Sequence, residues 1–105
     1  MVTFLEPENF FKKTSDFVAK KHNIAIIRIL LKSEQGLGFN AIMKQVSPIT
    51  PRMLSTRLAE LEKEQLIQKN LVLGDKPKVE YRTLPKAIGL SKAISELEKW
   101  GKKEL

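Results

Sequence analysis

Between Ser47 and Ile67 the chain reads SPITPRMLSTRLAELEKEQLI, and the first half of that stretch gathers groups that hydrogen-bond anions and nucleobase edges. Thr50 and Ser55 bring hydroxyls, Arg52 and Arg57 guanidinium forks, and Thr56 a hydroxyl and a methyl. Leu54, Leu58 and Leu61 recur at i, i+4 and i+7, so a helix here hides one leucine stripe. Arg52, Thr56, Ala59 and Lys63 then face away from it, with Ser55 and Arg57 on the flanks. Thr50 suits the N-cap and Pro51 the first helical position, where a missing N–H costs nothing. The free N–H groups of such a helix start suit a phosphate. Arg52 could take a guanine edge in bidentate fashion, and the Thr56 methyl could meet a thymine methyl. Arg57, on the flank, is expected to reach backbone phosphate. Glu60, Glu62 and Glu64 fill the second half and would repel phosphate, so the reading end is residues 50–57.

Other elements must present this helix. A short helix, Ala41 to about Val46, with Asn40 as its cap, turns Ile42, Met43 and Val46 inward and leaves Lys44 and Gln45 facing out as lesser backbone contacts. Pro48 ends it, and Ser47 to Thr50 make the turn. Two helices joined by so short a turn make a helix-turn-helix. Beyond Glu64, Leu66 to Leu73 has strand character, with Ile67, Leu71 and Leu73 on one face. Gly74-Asp75-Lys76-Pro77 is turn chemistry, and Lys78 to Thr83 alternates with Val79 and Tyr81 on one face. The result is a β-hairpin whose tip carries Lys76 and Lys78, placed to approach the minor groove or its phosphates.

Upstream, Met1 to Glu8 is expected to be a lead-in, with Pro7 barring an earlier helix and Asn9 capping a first helix to about Lys20. Phe10, Phe17, Val18 and Lys21 share one side of it, with Phe11 beside them. Asn23 caps a second helix, Ile24 to about Ser33, apolar over most of its girth and so central to the fold. Gly36 and Gly38 break the chain after it, and Gly38-Phe39 forms a very short strand. A last helix runs from about Pro85 to Trp100 or Gly101, with Ala87, Leu90, Ala93, Ile94 and Leu97 as its stripe, Trp100 at the edge and Gly89 as a soft spot. Much of that stripe lacks a partner within the domain, so a dimer seam shared with the first helix is expected. Phe10, Phe17, Leu90, Ile94, Leu97 and Trp100 are its candidate residues.

The chain has 105 residues, 42% hydrophobic and 30% charged, which fits one globular domain that gains stability by pairing with a copy of itself. Within it, 9–21 and 85–101 are the dimerisation helices, 40–64 the helix-turn-helix and 66–83 the wing. The net charge is +7. From Gly36 to Leu58 the charged residues are Lys44, Arg52 and Arg57, with no acid among them. Basic excess concentrated there suits an anionic partner, with nucleic acid ahead of a membrane. No apolar run approaches the roughly 20 residues of a membrane span, and the N-terminus has no signal-peptide pattern, so a cytoplasmic protein is expected.

The pieces PITPRMLSTRLAELEKEQLI, then KPKVEYRTLPKAIGL, then Trp100 near the end of the last helix, resemble the HxlR-type winged helix-turn-helix transcription regulators, a branch of the MarR-like group. The resemblance covers about Ile24 to Trp100. It implies a mainly α fold with a small β-hairpin, a winged helix-turn-helix with extra N- and C-terminal dimerisation helices. It also implies a homodimer that places two recognition helices in successive major grooves near promoters, usually as a repressor and sometimes as an activator. Some family members sense oxidants through an N-terminal cysteine; this chain has no cysteine, and that mode does not carry over. The family's Gly-Lys-Trp is replaced by Lys20-Lys21-His22-Asn23, its glycine after the recognition helix by Gln65, and its Leu-Thr-x-x-Gly by TLPKAIGL.

These observations argue against an enzyme. The one histidine, His22, falls at a helix boundary, and no metal spacing or phosphate-cradling loop is present, so no catalytic residue, metal or cofactor is expected. The expected function is a sequence-specific, double-stranded-DNA-binding transcriptional regulator, a homodimeric repressor reading an inverted repeat. A small-molecule effector at the dimer seam is left open, and no membrane partner is expected. The alternative is a winged-helix protein–protein interaction module, or a non-specific DNA-binding chromatin protein. Such interaction modules often lose the basic residues that Arg52, Arg57, Lys76 and Lys78 supply here.

Overall fold

The computed structural model of the chain describes residues 2–105, with side chains from Asn9 onward. In chain order it comprises α1 (Val2–Ala19), α2 (Asn23–Lys32), α3 (Phe39–Gln45), α4 (Pro51–Lys63), β1 (Ile67–Val72), β2 (Lys78–Thr83), α5 (Pro85–Ile88) and α6 (Leu90–Glu104). α2 is the centre, because its isoleucines and leucines recur on every side. Ile26, Ile27 and Leu30 are buried against Ile42 and Val46 of the α3 segment, Leu54, Leu58 and Leu61 of α4, and Tyr81 of β2. Truncating a fully enclosed leucine such as Leu58 to alanine typically costs about 2–5 kcal/mol.

The hairpin pairs Ile67 with Thr83 through Val72 with Lys78 in an antiparallel register. Its inward face is buried only at the base, where Ile67 and Tyr81 sit; Leu71 and Leu73, on the same face, lie beyond the core and are exposed. Leu37 adds one bridge to β2, exchanging two backbone hydrogen bonds with Tyr81 at 3.0 and 2.8 Å. Gly36 is required beside it, since a Cβ there would stand 2.9 Å from the Glu80 Cβ.

Several boundaries differ from the sequence reading. α1 begins at Val2 and runs through Pro7, leaving Asn9 inside the helix and not at its cap. Proline forgoes one backbone bond there, but its fixed φ is itself helical, so it weakens the helix without barring it. The part of the expected lead-in at Met1 lies outside the described residues. His22, with φ 77°, holds the cap position before α2. Asn23 is instead buried and donates from Nδ2 to the Phe17 carbonyl at 3.2 Å. α3 starts before Asn40: Gly38 holds the cap position in extended backbone, and the Ile42 N–H already bonds its carbonyl at 3.1 Å. The short strand therefore falls at Leu37 and not at Gly38-Phe39. The last helix is two, α5 and α6, divided at Gly89, and the second continues to Glu104. Glycine is a poor helix former, and the division falls where the chain leaves the wing.

Candidate nucleic-acid interface

α4 starts as its sequence dictates. The Thr50 side chain accepts a hydrogen bond from the Met53 N–H at 3.1 Å, and Pro51 occupies the first turn. Leu54, Leu58 and Leu61 are buried, which turns Arg52, Ser55 and Thr56 outward to solvent. Among the described residues the Arg52 side chain has no hydrogen-bond or ion-pair partner, so its guanidinium is free for a ligand. The Thr56 hydroxyl donates to the Arg52 carbonyl at 3.0 Å, which leaves its methyl as the group available outward. Lys44 and Gln45 are exposed at the end of α3, across the turn from Thr50. At the wing, Lys76 and Lys78 are exposed, and the Lys78 ammonium lies 3.3 Å from the Glu80 carboxylate.

Arg57 is placed differently from the rest of the set. Its side chain is only 13% exposed. Nε donates to the Lys21 carbonyl at 3.0 Å, and Nη1 meets Glu60 Oε1 at 2.9 Å. Glu60 Oε2 takes the Lys20 ammonium at 3.0 Å. That lysine, first of all, and then Arg57 hold the Glu60 carboxyl below the usual carboxylate range, against the desolvation that opposes them. His22, beside this cluster, is held below the ordinary imidazole value by burial first and then by Lys21 and Arg57. Thus Glu60, in the second half of α4, is neutralised by Lys20 and Arg57, and Arg52 is left as the unpaired charge of the first half.

Two contacts carried no signal in the sequence because they join distant segments. Lys86 donates to the Glu64 carbonyl at 2.7 Å and so caps the end of α4 from α5. Arg28 of α2 grips Glu98 of α6 with two bonds, of 2.7 and 2.9 Å. Of the expected seam residues, Ile94 is buried within its own chain, and Phe17 and Leu90 are half-buried against the core. Phe10, Leu97 and Trp100 remain 69, 55 and 57% exposed. A groove of about 440 Å³ lies between α1 and α4, walled by Phe17, Asn23, Leu61 and the Lys20–Glu60 pair. Among the described residues no cluster of potential metal ligands exists, and no helix is long and apolar enough to cross a membrane.

The profile of HxlR-like helix-turn-helix proteins matches residues 17–105. The chain is 34% identical over 93 residues to the HTH-type transcriptional regulator BH0655 of Halalkalibacterium halodurans, a match covering 89% of this chain and 81% of that one. Its fold is similar to that of the reduced form of the regulator YodB from Bacillus subtilis, with a TM-score of 0.78 at 24% identity and 89% of each chain covered. It is equally similar to a MarR-family protein from Porphyromonas gingivalis W83, with a TM-score of 0.79 at 24% identity over 90% of this chain and 91% of that one. The helix-turn-helix of α3 and α4, the hairpin wing behind it and the extent of the profile match agree: the chain belongs to the HxlR-like helix-turn-helix family and is a DNA-binding transcriptional regulator.

Proposed function

We propose that the chain acts as a homodimeric repressor that reads an inverted-repeat operator in double-stranded DNA through the first half of α4. The observation that carries this reading is the division of α4. Arg52, Ser55 and Thr56 are exposed near the positive end of the helix, where no acid stands, while the acids are confined to its far half. Arg52 takes a guanine edge, Thr56 presents its methyl to a thymine, and Thr50, Pro51 and Ser55 sit against the backbone. Lys44 and Gln45 contact the flanking phosphates, and Lys76 and Lys78 those beyond the major groove.

The homodimer reading is supported by the faces that a single copy leaves bare, Phe10 and Phe11 on α1 and Leu97 and Trp100 on α6. Two such copies would set their α4 helices one turn of DNA apart, about 34 Å. A small-molecule effector would act from the groove between α1 and α4, which touches both an outer helix and the recognition helix. Without a cysteine, the chain would have to respond to such a molecule by non-covalent binding. The test is recovery of duplexes bound from a random pool. A symmetric repeat with half-sites one helical turn apart is expected; recovery of a single asymmetric site would contradict the homodimer.

A further inference from the structure

The cluster at the junction of α1 and α4 does something that surface contacts to DNA do not require. Glu60 uses one oxygen for Arg57 and the other for Lys20, while Arg57 reaches back to the Lys21 carbonyl. Two bonds therefore tie the middle of α4 to the segment that ends α1, and the Arg57–Glu60 pair within α4 joins them. In that segment the chain reverses through His22 in left-handed backbone and is sealed by the Asn23–Phe17 bond. Arg57 lies one residue past Thr56, so the tie sits immediately behind the reading surface.

The angle between α1 and α4 has leverage. α1 contains 18 residues, so it is about 27 Å long at about 1.5 Å per residue. A tilt of about 10° over that length displaces the far element by about 5 Å, more than the roughly 3.4 Å rise of one base pair. If α1 lies in the dimer seam, whatever fixes this angle also fixes the distance between the two copies of α4.

We infer that Lys20, Arg57 and Glu60 form a clamp that sets the half-site spacing the dimer accepts, and that Arg57 is a positioning residue and not a DNA contact. The inference rests on the homodimer proposed above. Two variants test it, Arg57→Ala and the nearly isosteric Glu60→Gln, whose site is half-exposed and tolerant. Each is titrated against the recovered repeat rebuilt with its spacer shortened or lengthened in single base-pair steps. Salt dependence is measured separately on random duplex. The wild type is expected to show a sharp optimum. In both variants the preference for that spacer is expected to fall by about threefold or more, with a salt slope on random duplex unchanged within roughly 0.5. A phosphate contact predicts the opposite for Arg57→Ala, namely an unshifted spacer profile and a slope reduced by roughly 2 per dimer, and that result would overturn the clamp. If Arg57→Ala fails to fold, Glu60→Gln decides alone: a wild-type spacer optimum retained in it overturns the inference while leaving the homodimer standing. A wild type that accepts every spacer equally removes the fixed-geometry homodimer and the clamp with it.

Discussion

Arg52 and Arg57 are the same residue type on one helix, and the fold gives them different surroundings. The Arg52 guanidinium has solvent around it and no partner among the described residues, whereas that of Arg57 is held by Lys21 and Glu60. Replacing Arg52 by alanine is therefore expected to weaken specific binding by about 1–3 kcal/mol, with little change on random duplex, as read by anisotropy titrations of both DNAs. Equal operator affinity in the variant would remove Arg52 from base reading. Gln65 makes a second residue-scale case. It holds φ 60° where α4 ends, with its N–H on the Glu62 carbonyl and the Leu66 N–H on the Leu61 carbonyl, the double bond pattern that favours glycine. Gln65→Gly is expected to raise stability by up to about 1 kcal/mol in urea melts, since the left-handed strain of a side chain is relieved. The sequence already marks both features, Arg52 by its phase against the leucines and Gln65 by its departure from the family's glycine. It set Arg57 on the flank but could not show that its guanidinium is taken up by Lys21 and Glu60, because the Lys21 carbonyl lies elsewhere in the chain.

The elements were legible where periodicity and turn chemistry agree. α4, its Thr50 cap, and the β2 strand stand where the residues predict, because local signals decide them. The starts of α1, α2 and α3 differ for one reason. An asparagine at a plausible distance suggests a cap, but Asn9 lies inside α1, Asn23 bonds the Phe17 carbonyl with His22 in the cap position, and Gly38 holds the cap position of α3. At this scale pH has a defined effect. Glu60 and Glu98 are held below the ordinary carboxylate range, by Lys20 and Arg28 respectively before any other attraction. A depressed carboxyl contributes stability that is fully present above that range and is lost as pH falls from it through the lower value held in the folded chain. The urea midpoint is therefore expected to drop in that acid window, and less steeply in Glu60→Gln; equal steepness would deny the clamp a share in stability. Removing Lys76 and Lys78 together should lower the salt slope by about 0.9 for each phosphate that is no longer neutralised and leave base preference unchanged.

For the whole molecule, the winged-helix architecture could be read from the order of elements, but the division of α6 between a face packed on its own core and an exposed face could not. Ile94 and the Arg28–Glu98 grip, four residues apart, hold one face of it to the domain, while Leu97 and Trp100 on another face are exposed. Leu97→Glu is accordingly expected to yield monomers with weak DNA affinity, measured by light scattering; unchanged dimers would move the seam away from α6. Operator reading, spacing and dimerisation all require that this chain bind duplex DNA through a basic face. The most direct measurement is the affinity of the folded chain for random duplex as salt is varied. If each protomer neutralises about 4 phosphates, log K should fall against log salt with a slope near −7, at roughly −0.9 per phosphate. Absence of any association at low salt, with the protein folded, would contradict it.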